Sequence, residues 1–247
     1  MIEQEKVAER SEVKSEVKPK VKSSIQDSLQ NKSPVRGSFI TFEGTEGAGK
    51  STQIAYVKAF LEAQGIDVVT TREPGGTPLG ESVRELLLTK EMSQMTELLL
   101  MFAARAEHIA KVILPAMKAG KWVLCDRFTE SSYAYQGYAR GLPLSDIEAL
   151  EQLVQGDLRP DCTFWFNLPV VEGMKRVQSR GKKDRFEAEN IHFFEKVSAG
   201  FEALSQARPT QFCVIDAMAP IDQVTDAILK KIESLPAYQA RGGDDER

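Results

Sequence analysis

Residues 44–51, Gly-Thr-Glu-Gly-Ala-Gly-Lys-Ser, place three glycines, a lysine and two hydroxyls within eight positions. They fit the pattern G-x-x-x-x-G-K-[ST]. The chemistry this serves is the binding of an oligophosphate. Glycines let backbone N–H groups converge on phosphate oxygens, and a helix N-terminus adds its dipole. Lys50 reaches the β- and γ-phosphates, and the Ser51 hydroxyl is a ligand for Mg²⁺. Gly44, Thr45, Glu46, Gly47, Ala48, Gly49, Lys50, Ser51 and Thr52 are therefore the ATP-binding candidates. The motif alone does not separate a kinase from a switch GTPase or a motor ATPase.

The arginines narrow the choice. No N-K-x-D base-reading motif follows the loop; the sequence NKSP at 31–34 precedes it. In its place TTREPGGT (70–77) sets Arg72 and Glu73 beside a turn signal, CDRF (125–128) sets Asp126 beside Arg127, and Arg105 lies in a helix-like run. Guanidinium forks suit phosphate oxygens. A second cluster, RVQSRGKKDRFE (176–187), carries Arg176, Arg180, Lys182, Lys183 and Arg185. It reads as an ordinary basic loop, a nucleic-acid patch, or a lid that closes on a phosphoryl group and excludes water.

These residues need a scaffold. Strand-like runs at 38–43, 66–71, 122–126, 162–168 and 212–216 are almost continuously apolar, as strands covered on both faces are. Helix-like patterns alternate with them, at 51–65, 93–120 (with a kink expected at Pro115) and 191–207. The expected fold class is α/β: a P-loop NTPase fold, with a parallel five-stranded sheet and helices on both faces. Ligands in such sheets bind beyond the carboxyl ends of the strands, where the glycine loop and both strand-end arginines fall. Residues 1–36 are rich in Glu, Lys, Ser and Val without an aromatic, and read as a disordered tail. The kinase domain spans 37–233, and 234–247 reads as a second loose tail.

The 247 residues carry a net charge of −4, which argues against a nucleic-acid partner. The longest apolar run, LLLMFAA at 98–104, is too short for a membrane span. Cys125, Cys162 and Cys213 sit in apolar runs without metal or redox spacing. They read as reduced, buried side chains in a cytoplasmic protein.

Together FEGTEGAGKST (42–52), TREPGGT (71–77), FAAR (102–105), DRFTESSYAYQG (126–137) and RGKKDRFE (180–187) closely resemble the thymidylate kinase family over roughly residues 37–233. The glycine loop is generic, whereas TREPGGT and the DR…S-x-x-Y-Q-G run are far more specific. The resemblance implies a nucleoside monophosphate kinase-like fold and transfer of the γ-phosphoryl of ATP to dTMP. It also implies Mg²⁺ as cofactor and a homodimer. Family members that lack an arginine in the glycine loop supply it from the lid, and this chain has Thr45, Glu46 and Ala48 in the loop. Arg180 and Arg185 are then the lid candidates for catalysis, beside Lys50 and Arg127.

By the same likeness Arg72 and Arg127 hold the dTMP phosphate, and Glu46 lies near the sugar or the phosphate. Ser132 and Gln136 contact the pyrimidine edge, Arg105 donates to its O4, and Tyr135 crowds a 2′-hydroxyl. Ser51 and Asp126 serve Mg²⁺. Many relatives stack a phenylalanine on thymine four residues before the helix arginine. Here that position is Met101 and Phe102 is next, so Phe102 takes the stacking role or Met101 forms the wall.

Overall fold

A computed structural model of the chain describes residues 36–178 and 184–242. Apart from Arg36, the stretch 1–36 read as a tail lies outside the described residues, as do Arg180 and 243–247. The five apolar runs form strands β1 (Phe39–Glu43), β2 (Val68–Arg72), β3 (Trp122–Asp126), β4 (Cys162–Asn167) and β5 (Phe212–Asp216). All pair in parallel, in the order β2-β3-β1-β4-β5. β1 is central, with Phe39 opposite Val123 on one side and Ile40 opposite Cys162 on the other.

Alternation along these strands divides two cores. Ile40, Phe42, Leu124 and Phe164 point to one face, where they meet Val57 and Leu61 of helix α1 (Lys50–Ala63). Phe39, Val123 and Cys125 point to the other and pack on Ile113, Met117 and Phe128. Burial on both faces explains why β1, β3 and β4 lack a polar alternation, whereas the edge strands β2 and β5 are part-exposed.

The chain fills the connections with α2 (Pro78–Thr89), α3 (Gln94–His108), α4 (Leu114–Lys118), α5 (Thr129–Ser132), α6 (Leu144–Gln155), α7 (Val170–Gln178), α8 (Ile191–Ala207), α9 (Ile221–Glu233) and α10 (Pro236–Gly242). Ser93 caps α3, its hydroxyl accepting from Thr96 N–H. Between α3 and α4 a π-helical run, Ile109–Ile113, stands just ahead of Pro115, and Leu114 N–H reaches back to Ile109 O. The wider turn there accommodates a proline that has no N–H for the helical ladder. A second π-helical run, Tyr133–Ala139, continues α5 and carries Tyr135 and Gln136.

One expectation is corrected at the C-terminus. The segment expected to be loose from 234 contains α10. Leu235 is buried, and the Tyr238 ring lies 6.0 Å from Phe60 and 6.4 Å from Trp122. Apolar burial against α1 and β3 offsets the ordering entropy that the polar ending of the sequence alone would not.

Candidate active site

The glycine loop joins β1 to α1. Gly44, Gly47 and Gly49 have φ of 135°, 78° and 93°, which only glycine adopts without strain. A Cβ on Gly47 would also stand 2.7 Å from Gly173 O. Lys50 turns back over the loop, its Nζ 3.3 Å from both Gly44 O and Thr45 O and 3.9 Å from Asp126 Oδ1. Burial and then the Arg127 charge lower its pKa, while Asp126, Glu46 and Glu43 oppose them. Ser51 and Thr52 stand exposed in the first turn of α1.

The end of β3 brings Asp126 and Arg127 to this loop. Arg127 is the one non-glycine residue with positive φ among the described residues, at 71°. Its guanidinium donates to Gly44 O at 2.8 Å, Glu46 Oε1 at 2.8 Å and Ser131 Oγ at 3.2 Å, and lies 5.1 Å from the Tyr135 ring centroid. Burial works against its charge, but Tyr135, Glu46, Asp126 and Glu43 outweigh that and push its pKa up. Glu46 also accepts from the Tyr135 hydroxyl, at 3.0 Å to either oxygen.

Glu43, the last residue of β1, supports this turn from beneath. It accepts from Phe128 N–H at 2.7 Å and from the Ser131 hydroxyl at 2.6 Å. Burial, then repulsion from Glu130, pushes its pKa up to about 8, against the opposing pull of Arg127 and its hydrogen bonds. A carboxyl with a raised native pKa binds its proton more tightly when folded. Its contribution is therefore full below the unfolded value of 4.5 and is lost as pH rises through about 8. Urea unfolding at several pH values should show Glu43→Gln gaining on the wild type between about pH 5 and 8. Parallel pH curves for the two proteins would show that Glu43 does not titrate there.

A cleft opens beside the loop, lined by Glu46 and Arg127 together with Arg105, Ser132, Tyr135 and Gln136. Arg105 is 2% exposed and rigidly held. Its Nε donates to Glu73 Oε2 at 2.7 Å, and its Nη2 donates to Phe128 O and to Ser132 Oγ at 3.2 and 3.1 Å. Glu73 is itself fixed by His108 Nδ1 at 2.8 Å, and His108 Nε2 lies 2.6 Å from Thr71 Oγ1. Arg105 Nη1 is buried with no hydrogen-bond partner among the described residues. A guanidinium so placed has one donor left over for a ligand.

The structure thus brings most of the expected substrate residues to one cleft and sets others apart. Phe102 does not line it. The Arg105 guanidinium lies 4.5 Å from the Phe102 ring centroid, and Met101 forms the wall instead. The helical turn directs position 102 under the arginine and position 101 toward the opening. Arg72 is also outside the lining; half-exposed, it pairs with Glu81 at 2.8 Å.

Arg185 donates from Nε to Leu87 O and from Nη1 to Glu97, at 2.8 and 2.7 Å. Arg176 reaches the loop directly, its Nη1 3.2 Å from Gly47 O. Arg84, Asp184 and Phe186 line the cleft without having been singled out. Arg84 lies on α2, outside every motif read from the sequence, and a lone arginine on a helix carries no signal by itself.

The same loop lines a second cleft, through Ala48, Gly49 and Thr52, with Phe166, Arg176 and Val224 among its other walls. Two clefts sharing one phosphate loop can seat two ligands end to end. Among the described residues no group of three His, Cys, Asp or Glu side chains could hold a metal unaided. Asp126 Oδ1, however, is buried without a hydrogen-bond partner among the described residues, close to Lys50. One such carboxylate and the Ser51 hydroxyl fit Mg²⁺, which takes few protein ligands and completes its shell with water and phosphate oxygens. All three cysteines are free, and no described helix is long and apolar enough to cross a membrane.

Comparison with known proteins bears on the family and the fold. The family model described as thymidylate kinase matches residues 42–228. The thymidylate kinase of Teredinibacter turnerae is 51% identical over 201 residues, covering 80% of this chain and 98% of its own. That of Pseudomonas fluorescens strain Pf-5 is 54% identical over 209 residues, covering 83% and 99%. The crystal structure of thymidylate kinase from Ehrlichia chaffeensis superposes with a TM-score of 0.65 at 36% identity, covering 80% of this chain and 99% of that one. With a loop, a strand order and a cleft of this kind, and with relatives this similar over nearly their whole length, the chain belongs to the thymidylate kinase family.

Proposed function

We propose that the protein transfers the γ-phosphoryl group of ATP to dTMP, giving ADP and dTDP. The observation that carries the reading is the composition of the first cleft. It joins Glu46 and Arg127 of the phosphate-loop region to Arg105, whose Nη1 has no partner among the described residues, and to Gln136. The second cleft, lined by Ala48, Gly49 and Thr52, takes ATP.

The acceptor is already an anion, so the reaction needs no strong general base. The barrier lies in bringing two anions together and spreading the charge of the transferred group. Arg127 holds the acceptor phosphate, and Arg72 reaches it from the rim. Lys50 and an arginine of the 176–187 segment take up charge at the transferred phosphoryl. The engagement of Arg185 with Glu97 favours Arg180 for that role. Ser51, and Asp126 through water, would hold Mg²⁺, which would supply neutralisation of phosphate charge when bound. Tyr135, fixed by Glu46, crowds the sugar and disfavours ribonucleotides.

Three free cysteines, two of them buried, support a reducing, cytoplasmic setting. The half-exposed Met95 and Leu99 on α3 offer a homodimer an apolar face.

An ADP-release assay with ATP, Mg²⁺ and each of dTMP, dUMP, dCMP, dGMP and AMP tests the reading. dTMP should stimulate release most. The thymine methyl is worth only about 1–3 kcal/mol, so dUMP should be a poor but real substrate. dCMP presents an amino donor to Arg105 and should be rejected more strongly than dUMP. Equal rates with dCMP and dTMP would overturn the pocket assignment, and no stimulation by any acceptor would overturn the kinase.

A further inference from the structure

We propose that Glu97, which lies outside the cleft lining, is the positioning residue that sets the hydrogen-bond polarity of Gln136 and thereby selects a 2,4-dioxopyrimidine over a 4-aminopyrimidine. The inference rests on the reading of the first cleft as the dTMP site. Glu97 is 1% exposed and belongs to the first turn of α3, where the helix dipole favours a negative charge. Gln136 Nε2 donates to its Oε1 at 2.8 Å. Two guanidinium groups share what remains. Arg185 Nη1 lies 2.7 Å from Oε2, and Arg140 approaches both oxygens at 3.4 Å. Arg140 is held in turn by Glu189 and by the Phe193 ring, whose centroid is 4.7 Å away.

The consequence follows from donor and acceptor counting. A carboxylate accepts and cannot donate, so it dictates which way round a neighbouring carboxamide sits. Gln136 lines the cleft with its nitrogen committed to Glu97, and the group it offers a ligand is its carbonyl oxygen. Arg105 Nη1, without a partner among the described residues, offers a donor. A donor beside an acceptor complements O4 and N3–H of thymine or uracil. Cytosine reverses both, with an amino donor at C4 and an acceptor at N3, so it meets donor against donor and acceptor against acceptor. Without Glu97 the amide of Gln136 could turn over and present its nitrogen, and half of that mismatch would vanish.

The experiment compares kcat/KM for dTMP, dUMP and dCMP in the wild type and in Glu97→Gln. A glutamine at 97 both donates and accepts, so it releases Gln136 from its single orientation. The dTMP-to-dCMP ratio should fall by about tenfold or more. The dTMP-to-dUMP ratio, which reads only the methyl, should stay within about twofold. General structural damage would lower all three substrates together and leave both ratios in place; unchanged ratios overturn the inference.

Removing the charge beside Arg140 and Arg185 threatens folding. The charge-conserving swap Glu97→Gln with Gln136→Glu is therefore made in parallel. It returns an acceptor to the cleft and should prefer dTMP over dCMP. A swapped protein that takes dCMP as readily as dTMP overturns the inference. A wild type that ignores dTMP would instead overturn the assigned activity, so the two failures are distinct.

Discussion

Lys50→Ala should turn over about 10²–10³-fold more slowly than the wild type while its affinity for ATP changes by no more than about tenfold. The asymmetry follows from where the ammonium sits. Lys50 is 7% exposed and, without a phosphate, rests on two carbonyls of its own loop. Those contacts and Asp126 hold it at the point where loop, β1 and β3 converge. ATP binding draws on many groups at once: the backbone of the glycine loop, the start of α1 and the walls of the second cleft. Loss of one among them weakens binding modestly. Charge that develops on the transferred group is met by few preorganised cations, and each counts heavily there. Steady-state ADP release gives the turnover, and equilibrium titration with ATP gives the affinity. Near-normal turnover, or a loss of ATP affinity as large as the loss of turnover, would contradict the assignment.

Arg127→Ala is expected to lower kcat/KM for dTMP by about 10³-fold. The guanidinium links Gly44 O, Glu46 and Ser131, so its removal takes away an acceptor-phosphate ligand and also the clamp between loop and strand end. It also leaves Glu46 and Glu43 without the charge that balances them. The backbone gives an internal control. Arginine and alanine are both strained at a φ of 71°, by about 1–2 kcal/mol, whereas glycine is not. Arg127→Gly should therefore match Arg127→Ala in lost activity and exceed it in stability by about that amount. Equal activity in the wild type and both variants would remove Arg127 from the site.

What the residues disclosed before folding, and what they did not, divides along physical lines. The inner strands β1, β3 and β4 were legible because parallel strands buried on both faces are continuously apolar, and the loop because its spacing is tied to one chemistry. Gln136, Ser132 and Arg105 were reachable through family likeness, and all three line one cleft. The carboxylates that hold them were not. Glu73 reaches Arg105 across 32 residues, Glu97 reaches Gln136 across 39, and Glu43 meets Phe128 across 85. A glutamate in a sequence looks like a solvated charge until its partners are brought to it. The exchange between Met101 and Phe102 had the same origin. Both are apolar and adjacent, and only the azimuth of α3 decides which one faces the cleft. The helix at 236–242 escaped notice because its stability comes from Phe60 and Trp122, far away in the chain.

The central claim is that the two clefts seat two nucleotides between which one phosphoryl group passes. The direct measurement follows the label from γ-³²P-ATP mixed with dTMP, Mg²⁺ and the purified protein. The account predicts that label lost from ATP appears as the terminal phosphate of dTDP, mole for mole with ADP. Label released as inorganic phosphate at a rate indifferent to dTMP, from a folded protein, would contradict it.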